Sequence, residues 1–129
     1  MLKYHINHCN QIGFKLFLFL VIVMVTWQAL SPQPAGATQV INDKLGHALV
    51  FLFLAAITDH AYATTNFNWH KITWLMAYGI SIECLQYFVP QREFSVLDML
   101  ADASGLLIYA ILMKTLFSRT PTPVRQFNN

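Results

Sequence analysis

The chain has 129 residues, of which 56% are hydrophobic and only 11% are charged, and its mean hydropathy is +0.46. A soluble globular domain carries roughly 25% charged residues, so this composition indicates an integral membrane protein. The formal net charge of +2, without a basic run interleaved with aromatic residues, gives no support for nucleic-acid binding.

Four apolar segments follow one another along the chain, each close to the ~20 residues that a helix needs to cross a bilayer core. They cover residues 14–30, 43–62, 71–89 and 97–117. The prolines of "SPQPAGA" end the first segment, "ATTNFNWH" separates the second from the third, and Pro90 closes the third. The pattern predicts an all-α, integral membrane four-helix bundle within residues 14–117, with polar tails at 1–13 and 118–129.

The first segment also begins like a secretory signal. Lys3 and Lys15 precede the apolar stretch, and the small residues at 35–37 fit a cleavage site. However, the apolar region of a signal is typically about 7 to 15 residues long, and this run is longer. We therefore expect a retained membrane helix.

Lysine and arginine are distributed unequally between the two ends of the predicted helices. The outer end has only Lys44 and Arg92, whereas the inner end has Lys3, Lys15, Lys71, Lys114, Arg119 and Arg125. Short cytoplasmic loops carry the excess of positive charge in membrane proteins. Both termini are therefore predicted to be cytoplasmic, with the loops after the first and third helices outside.

Ionisable residues recur at the outer ends of three predicted helices. A charge within hydrocarbon costs several kcal/mol, so each such residue needs a partner or access to water. Five of the six acidic residues lie there, and only Asp59 lies at the other end. Spacings of three or four residues place these groups on shared helix faces. The predicted polar pocket is formed by Asp43, Lys44, His47, Glu83, Gln86, Arg92, Asp98 and Asp102.

Small residues accompany the acids of the fourth helix. Ala101 and Gly105 have the small-xxx-small spacing that lets two helix backbones approach closely. Such an approach would bring Asp102 towards polar groups of another helix. We therefore expect Ala101 and Gly105 to be packing residues that help to assemble the pocket.

Three ordered segments, "DKLGH", "ECLQ" and "PQREFSVLDMLADASG", resemble the VanZ-like family of small bacterial membrane proteins, over roughly residues 31–116. The polar positions of the family fall on the pocket residues named above, and its helix glycine falls on Gly105. Where the family often has a second glycine, this chain has Tyr109. The resemblance implies a role at the bacterial cell envelope, in the inner membrane, and the namesake of the family is linked to resistance to the glycopeptide teicoplanin.

Three functions fit these residues. In the one that we favour, Lys44 and Arg92 hold a phosphate or carboxylate, and the pocket recognises an envelope lipid or a lipid-linked glycan precursor. In the second, the carboxylates and His47 provide acid and base groups, or bind a divalent metal, in a membrane hydrolase acting on a lipid phosphate or glycan. In the third, the polar residues form a purely structural network. No motif identifies catalytic residues, a resident metal or a cofactor.

Overall fold

The computed structural model describes residues 8–32, 39–90 and 92–118. Most of both predicted tails and the small residues at 35–37 lie outside the described residues. The described chain forms four α-helices and no strand: α1 (His8–Leu30), α2 (Gln39–Ala61), α3 (Trp69–Gln86) and α4 (Val96–Ser118). The predicted all-α four-helix fold is confirmed. α1 and α2 begin several residues before the predicted apolar segments, because a helix can continue through polar residues beyond the hydrocarbon.

Three of the helices contain segments that are long and apolar enough to cross a membrane, namely Asn10–Leu30, Asp43–Ala61 and Val96–Leu116. α3 does not qualify by composition, because its 18 residues include Lys71, Glu83 and Gln86. These side chains are 7%, 0% and 3% exposed, so they face the interior of the bundle. Contact with protein is how charged groups are accommodated at membrane depth, and α3 can therefore lie among the three apolar helices.

α2 and α3 occupy the middle of the bundle, with α1 and α4 on opposite sides of them. Each middle helix is in contact with the other three helices, whereas the described parts of α1 and α4 do not touch. The apolar core is centred on α2, where Leu54 and Ala55 are completely buried. α1 is the most peripheral helix, since only 6% of its apolar window is buried in protein.

The backbones of α2 and α4 approach each other closely at Gly105. A Cβ atom on Gly105 would collide with the backbone oxygen of Ala48 and the backbone nitrogen of Leu52. Ala101, which lies one turn earlier on α4, is half-buried. A side chain at position 105 would have to push the two helices apart, so the glycine sets their spacing.

We call the end of the bundle that the sequence predicts to be cytoplasmic the inner end, and the opposite end the outer end. At the inner end, Lys71 joins α3 to α2. Its ammonium group donates to Asp59 Oδ1 at 2.7 Å and to the carbonyl oxygens of Tyr62 at 3.0 Å and Thr65 at 2.8 Å. Tyr109 of α4 donates to the second oxygen of Asp59 at 3.1 Å. All three N–H donors of Lys71 are used. The residue was counted from the sequence only as a cation of the inner loop, and in the structure it is a buried link between α3, α2 and that loop.

The variant Gly105→Ala should lower the free energy of unfolding by about 1 to 3 kcal/mol, because the added methyl group separates α2 from α4. Gly46→Ala is the matched control, since a Cβ on Gly46 would meet no heavy atom within 4 Å. Its stability should be unchanged or up to about 1 kcal/mol higher, because alanine favours helix. Equilibrium unfolding of the detergent-solubilised protein measures both variants, and equal stabilities would contradict the close approach at Gly105.

Candidate functional site

Two polar pairs join the outer ends of α2 and α4. Lys44 Nζ donates to Asp98 Oδ1 at 2.6 Å, and His47 Nδ1 pairs with Asp102 Oδ1 at 2.9 Å. With Asp102 ionised, its carboxylate only accepts hydrogen bonds, and the imidazole then donates from Nδ1 and keeps Nε2 for another partner. The residue numbers rise along α2 from Lys44 to His47 and along α4 from Asp98 to Asp102 in their partners. α2 and α4 therefore run in the same direction.

Ser95 determines where α4 begins and how it meets α3. Its Oγ accepts the backbone N–H of Asp98 at 3.3 Å, the hydrogen bond of a helix N-cap. Its own backbone N–H donates to Glu83 Oε2 at 3.0 Å. Glu83 therefore connects α3 to the first turn of α4, and this contact fixes the height of Asp98 in the bundle.

Glu83 is completely buried, and only one of its two carboxylate oxygens has a partner. Within the described ranges, Oε1 accepts no hydrogen bond. The carboxylate also interacts electrostatically with Asp98, His47 and Asp102. A buried acceptor without a partner costs about 1 to 3 kcal/mol, so a donor from water or from a ligand would be stabilised at this oxygen.

Gly79 makes room for Asp102 against α3. A Cβ atom on Gly79 would lie 2.7 Å from Asp102 Oδ2 and 2.8 Å from Cζ of Phe51. Gly79 precedes Glu83 by one helical turn, so both residues lie on the face of α3 that borders the acids. Sequence reasoning missed this glycine, although its four-residue spacing from Glu83 in "GISIE" was a usable signal.

Gln86 and Arg92 bind the end of α1 and not the carboxylates. Gln86 Nε2 donates to the carbonyl oxygen of Ala29 at 3.0 Å. Arg92 donates through Nη2 to the carbonyl oxygen of Gln28 at 3.2 Å and through Nε to that of Ser31 at 3.4 Å. The last carbonyl groups of a helix lack partners within the helix, so these donors satisfy them. The site therefore uses α1 in addition to the three predicted helices.

The polar groups surround a cavity of about 300 Å³ at the outer end of the bundle, which we call the outer cavity. Its polar lining residues are Gln28, Asp43, His47, Gln86, Arg92 and Asp102. Apolar side chains complete the wall, among them Met24 and Val25 of α1 and Ile82 of α3. Lys44, Glu83 and Asp98 do not line this space and instead position its walls. The structure thus brings five of the eight predicted residues to one cavity.

Three residues at this end of the bundle have the geometry of a possible metal site. Asp43, His47 and Asp98 each offer a ligand atom, and these atoms lie within 4.8 Å of one another. Carboxylate oxygens combined with an imidazole nitrogen suit zinc or manganese. Lys44 competes with a metal for this set, because its ammonium group already lies 2.6 Å from Asp98 Oδ1.

The fold and the site define a class of protein: a helical membrane bundle with a cavity of ionisable residues at one end. Residues 3–118 match the family model VanZ/LLP1, and the protein belongs to the VanZ/LLP1 family. The resemblance seen in the sequence is therefore confirmed. None of the curated proteins and none of the solved structures compared with the chain matches it significantly.

A double-mutant cycle should detect the contact between α2 and α4. For His47→Ala and Asp102→Ala we expect a coupling energy of about 0.6 to 1.7 kcal/mol, the range for polar contacts between membrane helices. The control cycle combines Asp102→Ala with Lys114→Ala, an exposed residue on the same helix, and should be additive within about 0.5 kcal/mol. Unfolding titrations measure both cycles, and additivity of His47 with Asp102 would contradict the pairing.

Proposed function

We propose that the outer cavity binds the polar headgroup of an envelope lipid or of a lipid-linked glycan precursor. The observation that carries this proposal is the guanidinium group of Arg92, which lines the cavity without an acidic partner. In the described part of the chain, Lys44 and Lys71 each form an ion pair with an aspartate, the imidazole of His47 is bonded to Asp102, and Arg92 has no acidic partner. Its Nη1 group and its positive charge are therefore available to an anion such as a phosphate.

The remaining lining of the outer cavity supports a headgroup that also carries hydroxyl groups. Asp43 is exposed and makes no hydrogen bond to the described residues, so its carboxylate can accept from a sugar or glycerol hydroxyl. The volume of about 300 Å³ is at the lower limit for small-molecule sites, which favours one headgroup over an extended glycan. The apolar wall of α1 and α3 suits the first part of a lipid chain.

We further propose that the outer cavity opens on the extracytoplasmic side of the bacterial inner membrane. The support is the excess of lysine and arginine at the other end of the bundle. Lipid-linked precursors of the envelope are exposed on that side. Binding such a precursor would give the protein a means of affecting glycopeptide susceptibility, the property linked to the namesake of the family.

Arg92→Gln should weaken binding of a polyisoprenyl phosphate by at least about tenfold, because a charge-assisted hydrogen bond contributes roughly 1.5 to 3 kcal/mol. Arg92→Lys keeps the charge but loses the planar guanidinium group, so it should lower the affinity for the polyisoprenyl phosphate less than Arg92→Gln does. Native mass spectrometry of the detergent-purified protein measures the affinity. The control is Lys114→Gln, which removes an exposed cation of α4. Unchanged affinity in both Arg92 variants would refute headgroup binding at this cavity.

A second candidate function is metal-dependent hydrolysis of a lipid phosphate or glycan. The observation that favours it is the convergence of Asp43, His47 and Asp98 within 4.8 Å. A bound divalent metal would lower the pKa of a coordinated water and polarise a phosphoryl oxygen. Asp102 would hold His47 in one orientation through Nδ1, as carboxylates do for metal-bound imidazoles.

Metal analysis separates this second function from headgroup binding alone. If the protein is a metallohydrolase, the purified chain retains one zinc or manganese after dialysis, and Asp98→Asn loses it. Glu93→Gln is the control, since Glu93 is an exposed acid outside the three-residue cluster. Wild-type protein without stoichiometric metal after exposure to either ion would exclude this hydrolase.

A further inference from the structure

A second, larger cavity lies between α1 and α3, towards the inner end of the bundle. Its volume is about 900 Å³, and we call it the α1–α3 cavity. Leu18 and Ile22 of α1 face Leu75 and Ala77 of α3 across it. No residue of this cavity also lines the outer cavity, so the two are separate sites.

The boundary between the two cavities is a polar contact that ties α1 to α3. The hydroxyl groups of Thr26 and Tyr78 lie 2.9 Å apart, and Tyr78 also donates to the carbonyl oxygen of Ile22 at 3.2 Å. The α3 lining extends from His70 to Ser81, which is about 16 Å along a helix. The hydrocarbon of one leaflet is about 15 Å deep, half of the ~30 Å bilayer core. The α1–α3 cavity therefore has the length of a lipid chain in a single leaflet.

Thr58 places an unpartnered hydroxyl group in the wall of this cavity. The residue is 7% exposed, and its Oγ1 has no hydrogen-bond partner within the described ranges. A threonine inside a helix usually bonds to the carbonyl four residues earlier, as Thr73 does with Trp69 at 2.9 Å. Leaving a buried hydroxyl unpaired costs about 1 to 3 kcal/mol. The hydroxyl oxygen is enclosed, and rotation of the Thr58 side chain would turn it towards an occupant of the cavity that accepts a hydrogen bond.

The inner mouth of the α1–α3 cavity is polar and carries a cation that has no acidic partner. Asn68 and His70 line this end. Lys15 lies beside it, with Nζ 5.2 Å from the ring centre of Tyr62, and in the described residues it forms no ion pair. Lys71 contributes no comparable charge, because its donors are all used by Asp59 and two carbonyl groups. The charge at the mouth is therefore positive.

We propose that the α1–α3 cavity is a binding site for one anionic glycerophospholipid of the inner leaflet. The acyl chain lies along α3 between His70 and Ser81, and the phosphate lies at the mouth near Lys15. Tyr62 directly follows the end of α2, one helical turn after Thr58, so Thr58 lies about 6 Å deeper than the mouth. That is the zone in which the ester carbonyl groups of a phospholipid lie, between headgroup and hydrocarbon. An ester carbonyl is the acceptor that the hydroxyl group of Thr58 lacks.

The test is native mass spectrometry of the full chain in detergent, with phosphatidylglycerol and phosphatidylcholine of identical acyl chains as probes. Wild-type protein should bind phosphatidylglycerol more tightly. Lys15→Gln should lower that affinity about fivefold and leave phosphatidylcholine unchanged, as expected for one cation near the headgroup. Thr58→Val should weaken binding of both lipids about fivefold, the effect of one hydrogen bond. Ala77→Trp should fill the cavity and abolish the specific binding of both lipids.

Matched controls lie elsewhere on the same chain. Lys114→Gln removes an exposed cation, Thr73→Val removes a hydroxyl outside the cavity, and Leu107→Trp adds bulk to a lipid-facing position of α4. All three should bind phosphatidylglycerol as the wild type does. If Ala77→Trp is folded by circular dichroism and still binds it fully, the cavity is not the site. The proposal would also be overturned if the wild type bound the two lipids equally. It would be overturned, too, if the wild type formed a dimer that Ala77→Trp abolished, because the cavity would then be an interface between two copies.

If Ala77→Trp fails to fold, Thr58→Val decides, because a valine of similar shape keeps the core packed. Unchanged affinity of this variant for phosphatidylglycerol would show that the hydroxyl group of Thr58 does not contact the lipid, and the proposal would fail. Loss of affinity in Thr58→Val, with Thr73→Val unaffected, would support it. Polyisoprenyl phosphate binding at the outer cavity is measured separately on Arg92 variants, so failure of either proposal leaves the other intact.

Discussion

The backbone contact of Gly105 with Ala48 and Leu52 is the constraint on which the polar site depends. It brings α4 so close to α2 that short side chains can meet, and Asp102 pairs with His47 at 2.9 Å. A wider separation would leave buried carboxylates without partners, at a cost that a membrane interior makes severe. The close packing at Gly105 and the pairing of His47 with Asp102 therefore support each other.

The sequence predicted the four helices, because apolar length is a local property, and helical spacing allowed the polar residues of each helix to be grouped on one face. It could not predict which partners the polar groups choose. Arg92 was predicted to line the pocket and hold an anion, and nothing in the sequence indicated that it also donates to carbonyl oxygens at the end of α1. These bonds depend on how α1 packs. Tyr109 was read as a departure from a small residue, and it instead donates to Asp59 across the inner end of the bundle. Which groups a polar side chain bonds to depends on how the helices pack, and the spacing of residues along one helix does not determine it.

α1 differs from the other helices in how it is held. Its backbone carbonyl groups accept hydrogen bonds from Tyr78 and Gln86 of α3 and from Arg92 in the loop between α3 and α4, and little of its surface is buried. Residues of α1 line both cavities. A ligand entering either site from the bilayer must therefore pass beside the helix with the weakest apolar attachment, and such a helix can shift without exposing the core centred on α2.

A purely structural role explains the paired groups but not the unpaired ones. The pairs Lys44–Asp98 and His47–Asp102 hold α2 to α4, and such contacts alone would suffice for a scaffold. They leave unexplained why Arg92 faces a cavity without an acidic partner and why a buried oxygen of Glu83 accepts nothing from the described residues. The Glu83 oxygen is the buried one of these two groups, and leaving it unpaired costs folding free energy. A scaffold needs neither this cost nor a guanidinium group without an acidic partner.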